Sequence, residues 1–194
     1  CLFTADPGDL AGGYDVHRAA GPLGYFMDQR IHHGEVPLWN PLTFCGMPYA
    51  ANPITSFFYP PNLLRSALSF HPTPFKTQVG LVTLIAGHLL AAGTGIVLLA
   101  RGHGQSRSGS LLAALVFMFS AIWIRRVSEY HFIMMVAWLP FILLLERKAL
   151  LCDALRRKAG YGLACGALFG VSVLTGSMNI ALYMGICIAG YAVL

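Results

Sequence analysis

Asp15 stands in Gly12-Gly13-Tyr14-Asp15-Val16-His17-Arg18. The paired glycines allow close backbone approach, and a carboxylate beside a cationic side chain stays ionised. Such an acid can act as a general base or hold a metal ion. It can equally be a loop aspartate bonded to nearby backbone, and the local pattern leaves both readings open. Asp6 and Asp9 belong to Asp6-Pro7-Gly8-Asp9, a turn signature that accounts for both acids without chemistry. Asp28, beside Gln29 and Arg30, reads as a solvated helix-face residue, and Glu35 after Gly34 as a turn residue. Further along, Arg125, Arg126, Glu129 and His131 sit between two apolar runs. Guanidinium groups match phosphate geometry, so this pair can bind a lipid-linked phosphate. The competing reading is that both arginines reach toward lipid headgroups. His32, His33 and His71 lack ligand spacing. His88, inside an apolar run, reads as a packed, hydrogen-bonded side chain or as a functional group within a membrane. The chain contains no G-x-S-x-G, P-loop or H-E-x-x-H.

The elements that must position these residues are apolar helices. Hydrophobic residues make up 56% of the chain and charged residues 11%. Soluble domains carry roughly 25% charged residues, so the composition predicts an all-α integral membrane protein. Its net charge of +5 then reads as a topology signal and not as a nucleic-acid footprint. The five cysteines show no C-x-x-C spacing, and Cys165 and Cys187 read as small core residues. The chain begins at Cys1 and ends within an apolar run, which predicts a fragment with further spans on either side.

Residues 1–77 hold no stretch long enough to span a membrane. Within them, Leu23, Phe26, Met27 and Ile31 predict a helix that Gly34 stops. Spans are expected at about 78–100, 109–125, 130–146, 159–176 and 180–194. The 101–110 and 146–158 loops hold Arg101, Arg107, Arg147, Lys148, Arg156, Arg157 and Lys158. The positive-inside rule assigns these loops to the cytoplasm. Residues 1–77, the 125–131 turn and the 176–179 turn then share the outer face.

Between Gly34 and Leu64 the chain is rich in irregular backbone. Pro37, Pro41, Pro48, Pro53, Pro60 and Pro61 exclude a long helix or strand. Trp39, Phe44, Tyr49, Phe57, Phe58 and Tyr59 supply amphipathic bulk suited to a membrane–water boundary. This segment either caps the bundle or shapes a surface for a ligand.

Three of its elements carry a resemblance: Gly34-Glu35-Val36-Pro37-Leu38-Trp39-Asn40-Pro41, Gly46-Met47-Pro48, and Phe58-Tyr59-Pro60-Pro61-Asn62-Leu63. Phe119-Ser120, His131, Ala137-Trp138-Leu139-Pro140, and Thr175-Gly176-Ser177 followed by Ala181-Leu182-Tyr183 extend it. The chain resembles the bacterial YfhO-like membrane proteins, which are similar to the C-type (GT-C) glycosyltransferases. The resemblance implies the N-terminal part of a multi-span bundle in the bacterial cytoplasmic membrane, with loop 1–77 outside. It implies transfer of a sugar from a polyprenyl-phosphate donor to an envelope glycan acceptor. Asp15 takes the place of the essential first-loop acid, with Asp9 in reserve. Arg125 and Arg126 would meet the carrier phosphate. Trp39, Asn40, Tyr59, Glu129 and His131 would shape the cleft. A divalent metal is compatible with this chemistry but not specified by it. A non-enzymatic envelope lipid or glycan assembly or transport protein is the alternative.

Overall fold

The computed structural model describes residues 20–43, 45–126 and 129–193, the side chains of Ile124 and Arg125 excepted. It is mostly helical. Helix α1 covers Gly21–His32, followed by a two-strand hairpin, β1 (Trp39–Asn40) and β2 (Met47–Pro48), and a 3-10 turn at Pro53–Thr55. Then come α2 (Pro60–Ala67), α3 (Pro74–Gly102), α4 (Arg107–Met118), α5 (Ala121–Arg125), α6 (Tyr130–Val136), α7 (Leu139–Leu150), α8 (Leu155–Val173) and α9 (Met178–Val193).

Helix α1 forms where its apolar spacing predicts. Leu23, Phe26 and Met27 are buried against Met47 and Tyr49. Gly34 follows the helix with φ of +75°, a conformation that favours glycine.

Helix α3 is the mast of the fold. Thr73 caps it by accepting from the Lys76 backbone N–H, and Pro74 begins it with a preset φ. Its 29 residues span about 43 Å at 1.5 Å per residue. Among the described residues it is the one helix long and apolar enough to cross a membrane. Two shorter apolar segments, Arg107–Trp123 and Met178–Val193, accompany it. Gly95 allows α7 to approach α3 closely, since a Cβ there would lie 2.9 Å from Pro140 Cβ.

Two of the apolar runs are each divided in the structure. The 109–125 run breaks at Phe119–Ser120, where the Phe117 carbonyl accepts from both the Ser120 backbone N–H and the Trp123 indole. The 130–146 run breaks around Ala137–Trp138, ahead of Pro140 in the first turn of α7. Proline lacks the N–H needed to continue the α6 ladder. Met135 of α6, Ile142 of α7 and Met184 of α9 form a buried cluster with α8 side chains around it.

Candidate functional site

The irregular segment after α1 is rigid because its side chains bond its own backbone. Asn40 is buried. Its Oδ1 accepts from the Leu42 N–H at 2.9 Å, and its Nδ2 donates to Thr43 Oγ1 at 3.1 Å. The Trp39 indole lies over Gly46, where a Cβ would stand 2.7 Å from Trp39 Cζ2, while much of the ring stays exposed. Asn52 caps the 3-10 turn, and Thr55 Oγ1 lies 2.8 Å from the Asn52 carbonyl and 3.1 Å from the Tyr49 carbonyl, which share its one proton. Asn62 of α2 donates back to the Thr55 and Ser56 carbonyls. Tyr49 is buried, and its hydroxyl donates to the Leu23 carbonyl at 2.8 Å. Burial pushes that hydroxyl's pKa well above its ordinary value; Tyr130 and Asp28 add to the rise and Arg65 opposes it.

The far end of the segment is sewn onto α6 and the turn between α8 and α9. Tyr130 Oη donates to the Ile54 carbonyl at 3.0 Å. Ser56 Oγ donates to the Thr175 carbonyl at 2.8 Å and lies 2.9 Å from His131 Nδ1. The Thr175 carbonyl only accepts, so the serine proton goes there and His131 Nδ1–H donates to Ser56 Oγ. His131 Nε2 is then a lone pair, buried without a hydrogen-bond partner. Gly176, at φ +95°, closes the seam: a Cβ there would lie 2.0 Å from the Pro53 carbonyl oxygen. The loop, the start of α6 at Tyr130 and His131, and the 174–177 turn therefore meet at one end of the bundle. Beside them, Arg126 pairs with Glu129, and its guanidinium lies 5.6 Å from the Phe132 ring centre. Both charged side chains are 46% exposed.

A second constellation ties α1 and α2 to α3. Arg65 makes two 2.9 Å bonds to the two oxygens of Asp28, and Thr77 Oγ1 donates to Asp28 Oδ2 at 2.7 Å. Arg65 Nε donates to Asn62 Oδ1 at 2.9 Å. Asp28 is 0% exposed, which corrects its reading as a solvated face residue. Apolar spacing marks Met27 as buried, whereas only the packing of α1 against α2 and α3 reveals that Asp28 is.

A third constellation is a one-way chain of hydrogen bonds. The Trp138 indole donates to Tyr59 Oη at 2.8 Å, Tyr59 Oη contacts His88 Nε2, and His88 Nδ1 lies 2.7 Å from the Leu84 carbonyl. With Nδ1 donating to the carbonyl, Nε2 accepts from Tyr59 and every polar atom in the chain is satisfied. Tyr59 is buried in this network, where burial pushes its hydroxyl pKa up against the opposing Trp138 bond. Arg65 and Ser56 carry no motif, Trp138 stands in the Ala137–Pro140 element without an assigned role, and sequence reasoning missed what all three do. The one available signal was a lone arginine in the last turn of α2, next to Leu63 and Leu64.

Cavities lie beside these constellations. A groove of about 550 Å³ lies between α2 and α3, walled by Leu64, Leu68, Gly80, Leu84, Gly87 and Trp138, with Arg65 and His88 also on its wall. A pocket of about 300 Å³ lies where Asn52, Ser56 and Phe57 face Leu174, Gly176 and Met178.

Of the residues singled out from sequence, Asp9 and Asp15 lie outside the described residues, as does the Arg125 side chain. Arg126, Glu129 and His131 lie together at the end where the loop is sewn on. Trp39 and Asn40 belong to a hairpin that packs through Met47 onto α1. Among the described residues, no group of three or more His, Cys, Asp or Glu side chains gathers as a metal site. No family model matches the chain, and no curated protein or solved structure matches it either.

Proposed function

We propose that this chain is part of a multi-pass membrane glycosyltransferase. It would move a sugar from a polyprenyl-phosphate carrier to an envelope glycan at the outer face of the bacterial cytoplasmic membrane. Support for membrane placement comes from large apolar side chains left exposed along the helices, such as Leu90, Leu112, Val116, Leu163, Leu182 and Ile186. A water-exposed monomer rarely leaves so much apolar surface open. The observation that carries the reading is the seam at one end of the bundle. There the rigid loop is bonded to α6 and the 174–177 turn, beside the exposed Arg126–Glu129 pair.

In this reading the acceptor hydroxyl gives its proton to the Asp15 carboxylate as its oxygen bonds to the anomeric carbon. The bond from that carbon to the carrier phosphate breaks, and the electron pair leaves with the phosphate. Arg125 and Arg126 offset the charge that develops there. Trp39 and Asn40 shape the loop, Tyr59 supports it from beneath, and Glu129 and His131 set the position of Arg126 and the seam. The test is sugar transfer by the full-length protein in liposomes carrying a radiolabelled polyprenyl-phosphate sugar. Asp15→Asn should abolish transfer, and an unchanged rate removes the proposed base.

One observation favours a second reading. Asp28, Glu35 and Glu129 are each engaged by an arginine. With Asp15 inert, the same fold would serve as a non-enzymatic lipid or glycan assembly or transport protein. In that case Asp15→Asn leaves function intact, while disrupting the seam removes it.

A further inference from the structure

The groove between α2 and α3 continues into a second cavity of about 300 Å³, lined by Arg65, Leu68, Ser69, Phe70, Lys76 and Gly80. The two share Arg65, Leu68 and Gly80 on their walls, so they adjoin, and their ends are unlike. The larger part follows α3 from Gly80 to Ala91, about 16 Å of helix. Its wall is almost wholly apolar, and a Cβ built at Gly87 meets nothing within 4 Å, so a chain can lie against the helix backbone there. The smaller part is cationic. Lys76 lies one helical turn before Gly80 and uses its ammonium group on the Phe70 and His71 carbonyls. An ammonium has three donors, so one remains for a ligand. Arg65 spends three of its N–H donors on Asp28 and Asn62, out of the five a guanidinium offers. Its charge is balanced by Asp28, so Lys76 supplies the net positive charge. None of the residues lining either cavity is acidic.

We infer that this joined site binds a lipid phosphate with a single hydrocarbon chain, the chain along Gly80–Ala91 and the phosphate at Lys76 and Arg65. The groove follows one helix and has one cationic end, which fits one chain and one anionic head. The inference rests on the membrane placement proposed above. It concerns a lipid phosphate bound apart from the Arg125–Arg126 pair, where the reacting carrier's phosphate is placed.

The experiment is photolabelling of the full-length protein in detergent micelles with a photoreactive farnesyl monophosphate, without sugar or acceptor. The label should map to the α3 segment around Thr83–Ala91. Gly87→Leu, which fills the groove, and Lys76→Gln, which removes its net charge, should each cut labelling about tenfold, a loss of about one decade in affinity. Farnesol and the two-chain phosphatidic acid should compete poorly. Ala91→Leu provides a second block should Gly87→Leu fail to fold, and the map on the unaltered protein needs no variant. Labelling elsewhere, labelling unchanged by Gly87→Leu, or equal competition by phosphatidic acid would overturn the inference. Groove labelling without sugar transfer would defeat the transferase reading alone. Sugar transfer with an unlabelled groove would defeat this inference alone.

Discussion

Replacing Arg65 by Met tests whether the buried ion pair holds α1 and α2 on α3. Asp28 is 0% exposed and takes two bonds from Arg65 and one from Thr77. Arg65→Met keeps most of the side-chain volume but leaves the carboxylate with Thr77 alone. Breaking a buried pair in this way costs about 3–5 kcal/mol, because the remaining charge stays desolvated. For a chain of this length each kcal/mol lowers the melting point by about 2–4 °C, so the expected drop is about 6–20 °C. Removing both charges in Asp28→Leu with Arg65→Met should recover most of the loss, since apolar replacement of a buried pair is often neutral or stabilising. Equilibrium unfolding of the two single variants and the double variant in mixed micelles gives the coupling between them. A cost for Arg65→Met below about 1 kcal/mol, the value of an exposed pair, would refute the reasoning.

Gly176→Ala should destabilise the seam by about 2 kcal/mol or more, because it meets both the left-handed backbone and the Pro53 carbonyl. Faster proteolysis within residues 50–57, together with a lower melting point, is the measurement. Ser56→Ala should cost about 1 kcal/mol by removing the hydroxyl that bridges His131 and the Thr175 carbonyl, which still face each other, read by thermal unfolding. Tyr49 gives a prediction about pH. Folding raises its pKa above the unfolded value near 10, so the folded state holds the phenolic proton more tightly. The resulting stabilisation is fully present below about pH 10 and is lost as pH rises further. Tyr49→Phe should flatten that alkaline fall in a melting-point titration, with Tyr59 accounting for part of the remainder.

The helical character of the chain is legible because apolar spacing and low charge leave few alternatives. Leu23, Phe26 and Met27 mark the buried face of α1, and Gly34 marks its end. Local breaks are harder to read. Pro140 signals the interruption between α6 and α7, yet no comparable residue marks the break between α4 and α5, where the Ser120 N–H and the Trp123 indole both reach the Phe117 carbonyl. The rigidity of the 34–64 segment is also visible in its prolines, whereas the bonds of Asn40, Asn52 and Asn62 that complete it are not.

By itself the sequence determined element type, the irregular loop and the grouping of basic residues into two loops. Each of these follows from neighbours along the chain: periodicity, fixed proline dihedrals and charge runs. Only the tertiary structure decided that Asp28 is buried on Arg65, that Ser56 joins His131 to Thr175, and that Tyr59 links Trp138 to His88. These contacts connect residues 37, 75, 119, 79 and 29 positions apart in the chain. No local pattern encodes such pairings, because desolvation and hydrogen-bond geometry select a partner only after helices from distant segments have packed.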